Sequence, residues 1–323
     1  MEVYNKEANI MNPEWNNLIN KMLDGNIRAI ARLITNVENR IIGWQDAMKV
    51  IYSKAGRARV IGITGSPGAG KSSLTNRIAL MLREKGLKIG IIAVDPSSPF
   101  SGGALLGDRL RMKDIFSDKN IFIRSMATRG ALGGLCQAAK DVVRILDASG
   151  KDVIIIETVG VGQDEIEIVR AADFVMLVLV PGQGDGIQAI KAGVMEIADL
   201  YVVNKSDRDG ADEVVNDITS MLEMSGRSST QKTKIIKTSV INNTGFEDLI
   251  DIFIKINKIP IEKKQYYFDK IKEEIFTLLE IEIVRYIKNK WEEDEKLDLA
   301  IQSIIEKQND PYSLVEKMIA VLN

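Results

Sequence analysis

Histidine is absent from this 323-residue chain, and cysteine occurs once, at Cys136. The first absence removes the commonest general base near neutral pH and the commonest transition-metal ligand. The second excludes an intramolecular disulfide and fits a reducing compartment. A zinc or nickel site is therefore not expected. Chemistry falls to carboxylates, Lys and Arg, hydroxyls, backbone amides and a hard cation. Excess charge is also lacking: 43 Lys and Arg face 45 Asp and Glu, for a net charge of −2. No broad footprint for nucleic acid follows from that balance. No apolar run approaches the length of a membrane span. The opening residues, MEVYNKEANI, are polar and lack the apolar core of a signal peptide. The expectation is a cytoplasmic protein with neither nucleic acid nor membrane as partner.

What is present is a large apolar fraction, 45% of residues, enough for one large α/β core and an accessory piece. Residues 13–54 are rich in helix formers, broken at LDGN (23–26), and predict two or three short helices. From residue 58 onward apolar strands alternate with helical spacing. Strands are predicted at 59–65, 88–95, 120–128, 151–159, 173–180, 200–207 and 233–240. Near-continuous apolar strands between helices imply a mainly parallel sheet covered by helices on both faces, an α/β fold. After NKIP (257–260) the chain turns to charged helical stretches without a clear strand. The expected organisation is an N-terminal helical extension (1–57), a core domain (58–256) and a C-terminal helical arm (257–323). Ile271, Ile275, Leu278, Leu279, Ile283, Tyr286 and Ile287 recur at three- and four-residue spacing, which predicts one apolar face. That face has two readings: a helix folded back on its own domain, or a dimerisation arm.

The segment Gly65-Ser66-Pro67-Gly68-Ala69-Gly70-Lys71-Ser72, followed by Ser73, fits the phosphate-binding loop G-x-x-x-x-G-K-[ST] at every fixed position. It follows an apolar strand and opens a helix, the context that such a P-loop needs. Glycines let backbone N–H groups turn inward around phosphate oxygens, and the helix N-terminus adds a favourable dipole. Lys71 is expected to reach the β- and γ-phosphates, and the Ser72 hydroxyl to ligate Mg²⁺.

The base is read further on. Asn204-Lys205-Ser206-Asp207 matches N-K-x-D and follows an apolar strand. The Asp207 carboxylate can accept two hydrogen bonds, from guanine N1–H and from the 2-amino group. Adenine offers no such pair, so a site built around this acid rejects it. Lys205 is expected along the base, and Asn204 to fix loop and base. Thr238-Ser239-Val240 falls where a backbone amide meets guanine O6. GTP, with its product GDP, is the expected nucleotide. Candidate metal acids are Asp95, closing IIAVD, Glu157, closing VIIIE, and Asp108 in LLGDRLRM. Asp95 and Glu157 fall at strand carboxyl ends, where such sheets bind ligands. Asp108 could equally be a helix-start carboxylate.

Together these residues resemble the MeaB/ArgK-type P-loop GTPases, relatives of the human methylmalonic aciduria type A protein. The resemblance is carried by GITGSPGAGKSSL, VDPSSPFSGGALLGDRLRM, SMATRGALGGL, ETVGVGQDE, PGQGDGIQAIKAGVMEIAD and VNKSD, and spans roughly residues 25 to 290. It implies a P-loop G domain and a GTPase chaperone of adenosylcobalamin-dependent acyl-CoA mutases. Such chaperones gate cofactor delivery and protect the mutase. It also implies a homodimer contacting through its C-terminal helices, with an adenosyltransferase as a further partner. By the same resemblance Asp108 lies in a first switch and Glu157 to Gln163, including Gly160, in a second. Residues 182–191 form a third, whose charged members are Asp185 and Lys191. Lys191 also reads as an ordinary surface lysine. Catalytic roles fall to Lys71, Glu157 and Asp108.

The chain departs from the usual patterns in two ways. Most GTPases place Asp first in the D-x-x-G turn and Gln after its Gly; here Glu157 and Val161 take those places. Slow intrinsic hydrolysis that a partner accelerates is expected. Gly186 stands where an acidic residue is common in the family. Competing readings are an amino-acid-transport kinase, a GTP-dependent metal-insertion protein and a non-catalytic GTP-binding adaptor. The first lacks a protein-kinase catalytic loop, and the second lacks His- or Cys-rich metal sites.

Overall fold

Four consecutive β-branched residues, Val153 to Ile156, are buried on both sides of one strand, because alternate side chains enter two separate cores. Ile154 and Ile156 join one apolar cluster, while Val153 and Ile155 join the other. Such a strand must lie inside a sheet covered on both faces. The computed structural model describes residues 12–95, 115, 118–127, 134–158, 171–182, 198–224, 233–258, 264–292 and 296–322.

Among these residues the strands are β1 (Arg59–Gly65), β2 (Ile89–Asp95), β3 (Ile121–Ala127), β4 (Val153–Glu157), β5 (Phe174–Leu179), β6 (Leu200–Asn204) and β7 (Lys234–Thr238). They form one seven-stranded sheet in the order β3-β2-β4-β1-β5-β6-β7. Every pairing is parallel. The α/β fold expected from the sequence is therefore the observed one. The central strand β1 sets its register against β4 from Arg59↔Val153 to Ile63↔Glu157.

Helix α1 (Pro13–Leu23), α2 (Ile27–Glu38) and α3 (Trp44–Tyr52) precede the sheet, then α4 (Lys71–Glu84), α5 (Gly134–Ala148), α6 (Ala211–Met224) and α7 (Phe246–Lys258) lie between or after its strands. The covering is two-sided. Leu74, Ile78 and Leu82 of α4 share one cluster with Phe246, Leu249 and Phe253 of α7. Val142, Ile145 and Leu146 of α5 and Ile218 and Leu222 of α6 share the other. Each such fully buried side chain contributes about 1.5–3 kcal/mol.

The N-terminal helices are packed into the second of these clusters through Trp15, Ile19, Met22, Ile30, Leu33, Ile34 and Ile51. Their ends follow from local chemistry. Asn12 caps α1 by accepting from Glu14 N–H, and Asn26 caps α2 by accepting from Ala29 N–H. The Trp15 indole donates to the Ile42 carbonyl and pins the turn between α2 and α3.

The chain divides into two compact units, residues 1–259 and 260–323. The second holds α8 (Lys264–Glu292), α9 (Lys296–Ile305) and α10 (Pro311–Ile319). Asp310 caps α10 through Ser313 N–H, with Pro311 at its first position. Among the described residues of this unit, only Ile287 and Leu314 are buried apolar side chains. Of the periodic residues of α8, Ile271, Ile275, Leu279 and Tyr286 are exposed, and so are Phe268, Phe276 and Val284. Its apolar residues thus extend beyond a single face.

Candidate functional site

Glycine shapes the loop after β1. Gly65 has φ +143°, and a Cβ there would stand 2.1 Å from the Val178 carbonyl oxygen. Gly70 has φ +85°, and its Cβ would stand 2.6 Å from Asn204 Nδ2. Neither position accepts a side chain without displacing the β5 backbone or the Asn204 amide at the end of β6. Gly68, at φ +78°, has room around it and needs glycine for its backbone alone.

The loop's carbonyls are held by side chains. Lys71 Nζ donates to Gly65 O at 2.7 Å and Ser66 O at 3.0 Å. Asn204 Nδ2 donates to Ala69 O at 2.8 Å, and Lys205 Nζ to Gly68 O at 2.8 Å. A trans peptide points its N–H opposite its carbonyl, so a loop whose carbonyls turn to the protein turns N–H groups the other way. That orientation suits an anion. Lys71 and Ser72 open α4, whose dipole favours negative charge at this end. Pro67 and Ser73 are exposed at the rim, while Ala69 is buried beneath it.

Glu157 ends β4 beside this loop and is buried. It accepts from Ser72 Oγ at 2.5 Å. A hydroxyl and a carboxylate oxygen so placed suit a hard cation. Among the described residues no cluster of three or more acidic, His or Cys side chains forms a metal site. Asp95 ends β2, two strands from β1, and pairs in register with Ala127. Asp108, Gly160, Gln163, Asp185 and Lys191 lie outside the described residues.

The expected base-reading residues form a second cluster, at the ends of β6 and β7. Lys205 takes a left-handed φ of +56°, which aims Nζ back at the P-loop. Asp207 is exposed, and its Oδ1 accepts from Ser239 Oγ at 2.5 Å. That hydrogen bond, with smaller help from Arg208 and Lys205, holds the Asp207 carboxyl below the usual carboxylate range. Ser239 is buried and accepts from Asn242 N–H at 3.1 Å; Val240 is exposed. Thr238 was read only as part of the segment 238–240 offering a backbone amide, yet its hydroxyl donates to Asn204 Oδ1 at 3.2 Å and orients that amide. Its place beside Ser239 was the available signal.

Residues 30–290 match the profile of a family described as methylmalonyl-CoA mutase-associated GTPase MeaB. A Pyrococcus horikoshii protein described as a candidate GTPase is 45% identical over 306 residues, covering 93% of this chain and 95% of its own. The GTPase ArgK of Escherichia coli is 42% identical over 195 residues, 59% of each chain. Among solved structures, a LAO/AO transport system kinase aligns over 97% of this chain and 99% of its own, with TM-score 0.68 and 24% identity. That likeness shows a shared fold.

Proposed function

We propose a function from one premise: the chain belongs to the MeaB family of methylmalonyl-CoA mutase-associated GTPases. It binds and hydrolyses GTP, and its nucleotide state gates cofactor handling by a cobalamin-dependent acyl-CoA mutase. The observation that carries the nucleotide half is the coupling of the two clusters. Asn204 and Lys205, from the base-reading segment, hold the carbonyls of Ala69 and Gly68 in the phosphate loop. A nucleotide binding both ends would find them already in register.

The chemistry follows from the same contacts. Lys71 exchanges the Gly65 and Ser66 carbonyls for phosphate oxygens, since a phosphate is the stronger partner for an ammonium. Ser72 and Glu157 would hold Mg²⁺, which supplies charge neutralisation at the β- and γ-phosphates. Asp207, kept ionised and oriented by Ser239, accepts from guanine N1–H and the 2-amino group. Asp108 and Asp95 complete the acid set as second candidates for the cation.

Support for the partner is the family's description, together with the sequence Gly160-Val161, which puts no glutamine next to the glycine. A mutase would then supply what this sequence lacks, with Gln163, Asp185 and Lys191 reporting nucleotide state to it. The exposed apolar side chains of α8 to α10 support a homodimer through residues 257–323.

Calorimetric titration tests the base. The unmodified protein should bind GTP and reject ATP. Asp207→Asn should weaken GTP by about 10- to 100-fold and favour xanthosine triphosphate. Equal binding of ATP and GTP by the unmodified protein would sink the reading. GTP turnover measured with and without a cobalamin-dependent mutase tests the partner; no change in rate and no binding would remove it.

A further inference from the structure

The phosphate and base clusters must keep a matched separation, because one nucleotide of limited reach is to span both. Strand order sets the coarse distance. β6 lies two strands from β1 and β7 three, or about 10 and 14 Å at the usual spacing. The fine position of the segment after β7 depends on the loop itself. Ser239 and Thr244 exchange backbone hydrogen bonds at 3.2 and 3.1 Å and close a tight loop. Asn243, at its tip, has φ +53°, a conformation that Asn tolerates better than most residues. Gly245 has φ +77°, and a Cβ there would stand 1.9 Å from the Lys237 carbonyl oxygen, so the loop's exit admits little adjustment. Phe246, directly after it, is buried against the cluster that α4 shares.

One contact joins this loop sideways to the phosphate helix. Arg77 Nε donates to Asn243 Oδ1 at 2.9 Å. Arg77 stands on α4, the helix that begins with Lys71 and Ser72. Six residues of α-helix rise about 9 Å, a rigid lever between the two. We infer that Arg77 is a positioning residue for guanine selection: through Asn243 it sets the loop that carries Ser239, and so the orientation of the Asp207 carboxylate. Its role is exerted through Asn243, not on the nucleotide directly. Its bond to Asn243 is lateral, from the phosphate helix to the loop tip, whereas Ser239 bonds Asp207 from within the loop.

The inference rests on the guanine-binding reading, and the probes separate the two. Guanosine diphosphate reports both clusters, inosine diphosphate lacks the 2-amino group that Asp207 reads, and pyrophosphate reports the P-loop alone. Arg77→Ala should weaken guanosine diphosphate by about three- to tenfold and narrow its preference over inosine diphosphate, with pyrophosphate unchanged. Asn243→Gly keeps the left-handed backbone while deleting the amide, and should do the same. The double variant should lose no more than either single one, because both remove one contact. Asn243→Asp keeps an acceptor for Arg77 and should retain the guanine preference. The inference is overturned if the two single losses add, if pyrophosphate weakens in step, or if Arg77→Ala keeps the full preference for guanine over hypoxanthine. If the unmodified protein binds adenosine diphosphate as well as guanosine diphosphate, the guanine reading fails first and takes this with it.

Discussion

At the amino edge of the sheet, carboxylates accept from backbone N–H groups. Asp152 takes Lys88 N–H at 2.7 Å, Asp173 takes Val60 N–H at 2.9 Å, and Asp199 takes Val175 N–H at 2.8 Å. Asp147, at the end of α5, takes those of Gly56, Arg57 and Ala58 and fastens the linker into β1. At the carboxyl edge the polarity reverses: Lys71, Asn204 and Lys205 donate to backbone carbonyls of the P-loop. The amino edge consumes its carboxylates in joining neighbouring segments. On the proposed function, the Lys71 bonds to the Gly65 and Ser66 carbonyls are ones that an incoming phosphate would replace, while Asn204 and Lys205 keep the loop in register. The contrast is one of predominance, since Lys151 at the amino edge also donates to a carbonyl, that of Asn120, and Glu157 at the carboxyl edge is a buried acid. On the proposed function the amino edge serves stability and the carboxyl edge exchangeable contacts.

The largest expected effect breaks this division on the exchangeable side. Lys71→Ala should cut single-turnover GTP hydrolysis by on the order of 10²–10³, while urea unfolding moves little. A rate near that of the unmodified protein would take Lys71 out of the site. The opposite test is Asp147→Ala, which strips the acceptor from three backbone donors. It should cost about 2–4 kcal/mol in urea unfolding, with GTP affinity of the folded fraction unchanged. A matching loss of affinity would show that the two edges are not separate.

The sequence announced one of these edges far better than the other. All seven strands were legible because Val, Ile and Leu fill both faces of a parallel sheet, and each strand begins and ends within a few residues of the expected place. The loop 65–72 and Asn204-Lys205-Ser206-Asp207 stood out because phosphate and guanine, the ligands proposed for them, demand fixed spacing. Asp147, Asp152, Asp173 and Asp199 were not singled out. An Asp before a strand looks like any turn residue, and its acceptor role exists only once a distant segment arrives. For Asp147 that segment is 56–58. Helix α8 was read as having one apolar face, but Val284, outside that face, exposes further apolar surface. Periodicity registers a repeating set and passes over the residues outside it.

A smaller effect sharpens the amino edge. Lys151 is buried, donates to the Asn120 carbonyl, and is pushed down to about 8 by burial, with Lys88 adding repulsion. Below pH 8 folded and unfolded chains both carry this proton. Between about 8 and 10.5 the unfolded chain keeps it and the folded chain loses it, so this group makes the protein more stable as pH rises. Unfolding measured across that window should show the unmodified protein gaining on Lys151→Met. Parallel curves for the two would place the titration elsewhere.

The smallest effect belongs to the carboxyl edge. Ser239 depresses the Asp207 carboxyl, so guanine binding should survive acidification into the ordinary carboxylate range. Ser239→Ala should bring the loss of guanosine diphosphate affinity to a higher pH. Identical pH profiles would show that Ser239 does not tune this acid.

Strand order also imposes a timetable. The central strand β1 pairs with residues 153–157 and 174–178 and with nothing nearer in the chain. During synthesis it must wait for them, at about 5–20 residues per second, on the order of ten seconds. Gly65, at its end, takes its place against Val178 only when β5 has emerged. The phosphate cradle, written early in the chain, is therefore among the late structures to form. A nascent chain cannot hold a nucleotide before its sheet is half built.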